Sequence, residues 1–125
     1  MASLPIEISE ASGVPFYRQI EDQIAELIRS GQVAPGARLP SVRELTQEVL
    51  VSLITVRRAY SELERAGLLI RRQGQGTFVA PNVESKSAER ASVEAREVLR
   101  GAVVRARQLG MAGKEQIRFI KQLLE

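Results

Sequence analysis

Apolar side chains recur at helical spacing near the start of the chain. Between Pro15 and Ser30 they stand three or four residues apart, which places them on one face of an α-helix. Proline suits the first turn of such a helix and Gly31 suits its end. The pattern therefore predicts a helix over 15–30. It is preceded by a short strand over 5–9, where apolar and polar residues alternate.

Two short helices are predicted next. Ser41 stands three residues before Glu44, which is the spacing of a capping box, so a helix begins here and ends near Glu48. After a tight connection, Ser52 can cap a third helix that runs to about Ala66. Two short helices joined in this way are typical of a helix-turn-helix, whose second helix enters the major groove of DNA.

A hairpin is predicted after the three helices. Residues 68–72 and 77–79 have the character of strands, and they flank a glycine-containing turn over 73–76. Three helices and a hairpin form the element order of a winged helix-turn-helix, although the turn alone would suit any hairpin. The predicted fold is mainly α with a small β-hairpin wing: a winged helix-turn-helix over 1–80, a linker over 81–87 and a helical region over 88–125.

The C-terminal region is predicted to contain two helices, over about 88–109 and 114–124, separated by a break rich in glycine. One long helix cannot bury an apolar stripe by itself, so a second copy of the chain is the expected cover. The alternative is that the tail folds back on its own winged helix. The predicted dimerisation residues are Ala91, Ala95, Val98, Leu99, Ala102, Ala106, Leu109, Ile117, Ile120 and Leu124.

The amino-acid composition excludes several kinds of catalytic and metal-binding site. The chain has no cysteine and no histidine, which removes disulfides, thiolate zinc sites and histidine bases. No constellation of the remaining groups resembles a catalytic site, so we predict no enzyme, no cofactor and no metal. No apolar run approaches the roughly 20 residues of a membrane span, and residues 1–10 lack the features of a signal peptide. We therefore expect a cytoplasmic protein without a membrane partner.

Charge changes sign along the chain. Residues 1–37 carry two arginines against five acids, whereas residues 38–76 carry seven arginines, no lysine and four acids. Arginine suits bidentate contact with phosphate or guanine, although such residues often only solvate a helix face. The expected DNA-binding residues are Arg38, Ser41, Arg43, Ser52, Leu53, Thr55, Arg57, Arg58, Arg72, Gln73, Gly74, Gln75 and Gly76, with Arg71 as a further phosphate contact.

Several separated motifs resemble the DNA-binding domain of the GntR family. The resemblance covers about residues 5–81, and it implies a homodimer on near-palindromic, double-stranded operator DNA. It implies DNA contacts from Arg43, Thr55, Arg57 and the wing residue Gly74. The matching motifs are Pro40-Ser41-Val42-Arg43-Glu44-Leu45, Val51-Ser52, Thr55-Val56-Arg57, Ala59-Tyr60, Leu63-Glu64, Gly67-Leu68 and Gly74-Gln75-Gly76-Thr77-Phe78-Val79.

Two positions depart from that family's pattern. The family often has a base-contacting arginine after the capping serine, where this chain has Leu53, and a glycine between the two helices, where it has Leu50. Leu53 can touch a thymine methyl group but cannot donate a hydrogen bond to guanine. Leu50 is expected in a strained left-handed conformation, unless the turn itself differs.

The short C-terminal region resembles the YtrA-type subfamily, in which the tail serves dimerisation. Residues 81–125 are too few for a large effector-binding domain. The expected function is thus a dimeric transcription regulator, in particular a repressor. The alternative is a winged-helix module that binds another protein. No residue marks a site for a small-molecule effector.

Overall fold

From the first α-helix onward the helices and strands follow the predicted order, with one strand added, and the strand predicted before that helix does not form. The computed structural model describes residues 3–125, apart from the side chain of Ser85. The chain forms two compact units, and the division falls between Glu89 and Arg90 inside the fourth helix. The elements are α1 (Phe16–Arg29), β1 (Arg38–Leu39), α2 (Val42–Val49), α3 (Leu53–Arg65), β2 (Leu69–Arg72), β3 (Gly76–Val79), α4 (Val83–Gln108) and α5 (Gly113–Leu124). The predicted fold class, a mainly helical winged helix-turn-helix, is confirmed.

Residues 3–9 join no sheet and are followed by a short 3-10 helix (Glu10–Ser12), so the predicted strand over 5–9 is wrong. Two glutamines of α1 take the place of a neighbouring strand. The side-chain amide of Gln19 exchanges two hydrogen bonds with the backbone of Ser9, both of 2.8 Å. Gln23 does the same with Glu7, at 3.0 and 2.7 Å. Three apolar residues of this segment, Leu4, Ile6 and Ile8, are partly buried and pack against the core.

The core of the first unit lies mainly between α1 and α3. The aliphatic stripe of α1 is buried as predicted, and it faces the fully buried Tyr60 of α3 in one cluster. The Tyr60 hydroxyl donates a hydrogen bond of 2.7 Å to the carbonyl of Pro40. Burial, reinforced by the carboxylates of Glu48 and Glu44, raises the pKa of Tyr60 far above its ordinary value. The hydroxyl therefore stays protonated and holds the segment before α2 against α3.

Both caps of the helix-turn-helix lie at the predicted residues. The Ser41 hydroxyl accepts a hydrogen bond of 3.0 Å from the Glu44 amide, and the Glu44 carboxylate accepts one of 3.1 Å from the Ser41 amide. Ser52 caps α3 by accepting a hydrogen bond of 3.1 Å from the Thr55 amide. Between the helices, Leu50 has φ 56° and ψ 45°, the left-handed conformation predicted for it.

The wing is a three-stranded antiparallel sheet in the order β1-β3-β2, not the two-stranded hairpin predicted. The two-residue strand β1 pairs Arg38 with Phe78 and Leu39 with Thr77. Two residues are too short for a periodic pattern, and β1 exists only because β3 lies beside it. This pairing places Arg38 on an edge strand of the wing, beside Phe78 of the central strand.

The predicted linker over 81–87 is also wrong, because α4 begins at Val83 instead of near Ala88. Val83 is fully buried in the core of the first unit, which anchors the first turn of the helix. Gly110, with φ 100°, ends the long helical region and leads into α5. In the second unit the Gln116 amide donates hydrogen bonds to the carbonyls of Val103 and Met111, at 3.3 and 3.1 Å, and so ties α5 to the end of α4.

Candidate nucleic-acid interface

A cleft of about 560 Å³ opens between the starts of α2 and α3 and the wing, and we call it the arginine cleft. Five of its residues are arginines and none is acidic, so it forms a site of concentrated positive charge. Anions, phosphate groups above all, are its natural ligands. The lining residues are Arg38, Leu39, Ser41, Val42, Arg43, Leu53, Arg57, Arg71, Arg72, Gln73, Gly74, Gln75, Gly76 and Thr77.

The capped helix starts position the first group of lining residues. The capping box sets the direction in which α2 leaves the loop, and Arg43 follows two residues after Ser41. The hydrogen bond from the Ser41 backbone amide holds the pKa of the Glu44 carboxyl below its ordinary value. On α3, Leu53 and Arg57 stand four residues apart, so they share one helix face, and both line the cleft.

The wing positions a second group of residues that line the arginine cleft. The guanidinium of Arg38 crosses Gly76 so closely that a Cβ at that glycine would lie 3.1 Å from its Nε. Gly76 has φ 124°, a conformation that side chains rarely allow. The Arg72 guanidinium lies 5.2 Å from the centre of the Phe78 ring, within the range of a cation–π contact. The wing therefore presents arginines that are already ordered on its own surface.

One arginine of the cleft is neutralised locally. Arg71 forms an ion pair of 3.1 Å with Glu64 of α3, which links the wing to that helix. Across residues 3–125, no such ion pair engages Arg43 or Arg57, both of which are exposed. These two side chains on the helices are therefore available to a ligand, together with Arg38 and Arg72 of the wing.

Ten of the thirteen residues predicted to bind DNA line the cleft, and three do not. The Ser52 and Thr55 hydroxyls lie 2.7 Å from each other at the cap of α3, outside the cleft lining. The Arg58 guanidinium stacks on the Tyr17 ring of α1, 3.7 Å from its centre. Three lining residues were not predicted from the sequence, namely Leu39, Val42 and Thr77, and two of them, Leu39 and Thr77, are paired with each other across β1 and β3.

A second feature is the apolar surface of the second unit. An apolar groove of about 250 Å³ runs between α4 and α5, and we call it the tail groove. Four predicted dimerisation residues line it, namely Leu99, Ala102, Ala106 and Ile120, and the other lining residues are Val103, Met111, Gln116, Phe119 and Leu123. The remaining predicted residues lie outside its lining, and the large ones among them are strongly exposed: Val98 at 71%, Leu109 at 70%, Ile117 at 59% and Leu124 at 82%. The two small residues outside it, Ala91 and Ala95, are exposed as well.

The described part of the chain contains neither a membrane-spanning helix nor a cluster of metal-binding side chains. None of its helices is both long and apolar enough to cross a membrane. Residues 3–125 also hold no group of three acidic side chains placed to bind a metal ion.

Comparison with known proteins identifies the family. Residues 16–79 match the model of the bacterial regulatory proteins of the gntR family. The regulator YhcF of Bacillus subtilis is 40% identical to this chain, over 91% of this chain and 93% of its own length. The HTH-type transcriptional repressor YtrA of the same organism is 34% identical, over 94% of this chain and 91% of its own length.

Solved structures of the same family agree with this assignment. YtrA from Sulfolobus acidocaldarius, a GntR-family transcription factor, superposes with a TM-score of 0.58 at 33% identity, covering 95% of this chain and 96% of that one. The DNA-binding domain of AraR in complex with operator ORR3 superposes with a TM-score of 0.53 at 37% identity, covering 58% of this chain and 88% of that one. This chain therefore belongs to the GntR family of bacterial regulatory proteins and is a DNA-binding transcription regulator.

Proposed function

We propose that this regulator is a homodimeric repressor that binds a near-palindromic operator through the arginine cleft. The start of α3 enters the major groove, while the wing follows the adjacent backbone. The observation that carries the proposal is the cleft itself, in which five arginines and no acid converge from α2, α3 and the sheet. Phosphate contacts of this kind supply most of the affinity of proteins for DNA.

The related structures support this placement. In AraR the domain that superposes on this chain is bound to operator DNA. Arg43 and Arg57 are the exposed arginines of the cleft that stand on α2 and α3, so they are assigned to the base edges and their flanking phosphates. Arg38 and Arg72, ordered on the wing, are assigned to the backbone.

The apolar surface of the second unit supports a dimer. Monomeric soluble proteins rarely expose large contiguous apolar patches, and α4 and α5 expose large aliphatic residues around the tail groove. A second copy of α4 and α5 would cover that surface and relate two clefts by a two-fold axis. Two half-sites related by the same symmetry form a near-palindromic operator. The name of the relative YtrA, a transcriptional repressor, supports repression as the outcome.

The experiment is a gel-shift titration on DNA selected from a random pool by the wild-type protein. Arg57→Ala removes an exposed cation of the cleft, and we expect a loss of affinity of about 1–3 kcal/mol per site if it contacts a base. Arg65→Ala is the matched control, because Arg65 is at the other end of the same helix, paired with Glu62 and outside the cleft.

The control variant is expected to bind within about twofold of wild type. Equal affinities of Arg57→Ala and wild type would contradict the assignment of the cleft. Failure of the wild-type pool to enrich any sequence would contradict operator binding and would favour a winged-helix module that binds another protein.

A further inference from the structure

The first turn of α3 presents an aliphatic side chain to the arginine cleft. Leu53 is the first residue of the helix, it is partly buried, and it lines the cleft together with Arg43 and Arg57. Its neighbour Ile54 is 74% exposed and does not line the cleft. Leu53 therefore stands where the cleft meets the start of the recognition helix, and its side chain has neither a donor nor an acceptor.

The edges of the base pairs decide which partner suits such a side chain. In the major groove, guanine offers only acceptors, and an aliphatic residue placed against them removes water without replacing its hydrogen bonds. Thymine is the one base that presents a methyl group there. Covering that methyl group removes apolar surface from water on both partners.

We propose that Leu53 reads a thymine methyl group, so that each operator half-site carries a thymine opposite the first turn of α3. This inference rests on the proposed function, since it assigns a base preference to the same cleft. Leu53 is thereby a specificity-determining residue, whereas Arg43 and Arg57 supply the charge that holds the helix in the groove.

The position of Arg57 fixes where that thymine lies. Residues four apart on a helix are separated by about 5–6 Å, and successive nucleotides rise by about 3.4 Å. The thymine is therefore expected one or two base pairs from the nucleotide that Arg57 contacts. The same spacing, repeated by the two-fold axis, gives one such thymine in each half-site.

The test replaces thymine with uracil, which removes the methyl group and leaves the base-pairing edge unchanged. The probe is the DNA selected by the wild-type protein, with each thymine of both half-sites replaced in turn. At one thymine per half-site we expect affinity to fall about fourfold, the value of one buried methyl group. Replacement at both symmetric positions is expected to reduce affinity about 15-fold, because the two half-sites contribute independently.

Two variants assign the effect to a side chain. Leu53→Ala is expected to bind thymine and uracil DNA equally at that position, since it lacks the group that covers the methyl. Ile54→Ala removes an aliphatic side chain from the same turn but outside the cleft, and it is expected to keep the fourfold preference for thymine. Thermal unfolding of both variants establishes that each is folded, and the uracil series on wild-type protein needs no variant at all.

The outcomes separate the two proposals. Selected DNA that binds tightly but shows no thymine sensitive to loss of its methyl group overturns this inference and leaves operator binding intact. The inference also fails if Leu53→Ala retains the preference for thymine, or if Ile54→Ala loses it. An absence of any sequence-specific binding contradicts the proposed function, and this inference with it.

Discussion

The turn between α2 and α3 holds a leucine where a glycine would be free of strain, and replacing it should stabilise the protein. Leu50 has φ 56° and ψ 45°, and its side chain is 87% exposed. A left-handed conformation costs a residue with a Cβ about 1–2 kcal/mol. Because the side chain is so exposed, its removal loses little buried apolar surface. Leu50→Gly should therefore recover most of that conformational cost.

Part of this gain in stability is lost because glycine makes the unfolded chain more flexible. Glycine has more conformational freedom to lose on folding, at a cost of roughly 0.5–1 kcal/mol. The net expectation is that Leu50→Gly stabilises the fold by about 0.5–1 kcal/mol. For a domain of this size, that corresponds to a rise in Tm of about 2–6 °C.

The matched control is Leu50→Ala, which removes the same exposed side chain but keeps the Cβ and hence the strain. We expect its Tm to lie close to that of wild type. Thermal and urea unfolding of the three proteins should be compared at one protein concentration, because oligomerisation makes Tm depend on concentration. A glycine variant no more stable than the alanine variant would refute the assignment of strain to this residue.

Three further predictions concern the wing, the cap of α2 and the second unit. Gly76→Ala should weaken DNA binding in a gel shift, because a Cβ is disfavoured at φ 124° and would also push the Arg38 guanidinium aside by a few tenths of an ångström. The pKa of Glu44 is lowered from 4.5 by its hydrogen bond from the backbone, so its contribution to stability is present above pH 4.5 and is lost as the pH falls through the lowered value. Glu44→Gln should therefore show a weaker dependence of Tm on pH in that acidic range, whereas a dependence equal to that of wild type would exclude this group as a cause. Ile120→Asp, in the tail groove, should shift the protein towards monomers in analytical ultracentrifugation. The neighbouring variant Lys121→Asp should not. A dimer that persists in Ile120→Asp would contradict a dimer interface at the tail groove.

The helix-turn-helix was predictable from the sequence because its signals are local. Ser41 and Glu44 are three residues apart, and their reciprocal hydrogen bonds need no other part of the chain. Ser52 likewise determines the start of α3 by bonding to an amide of the same turn. Nine of the ten predicted residues that line the cleft followed from these two helix starts and from the glycine turn of the wing with its flanking arginine, and Arg38 followed from the charge of its segment.

The errors arose where a distant partner decides the structure. The alternation over 5–9 predicted a strand, but hydrogen bonds with the side chains of Gln19 and Gln23 replaced the expected strand pairing. The strand β1 depends on β3, about 40 residues further along the chain. The contact of Arg58 with the Tyr17 ring of another helix is likewise one that no spacing within α3 reveals, and DNA binding by Arg58 stays a prediction.

The central claim is that the arginine cleft binds DNA as part of a dimer, and the salt dependence of affinity tests it most directly. If Arg38, Arg43, Arg57 and Arg72 of both protomers each neutralise a phosphate, the slope of log affinity against log salt is about −7. The double variant Arg43→Ala/Arg57→Ala should reduce the slope to about −4. A wild-type slope near zero, or a slope that the double variant leaves unchanged, would contradict the claim.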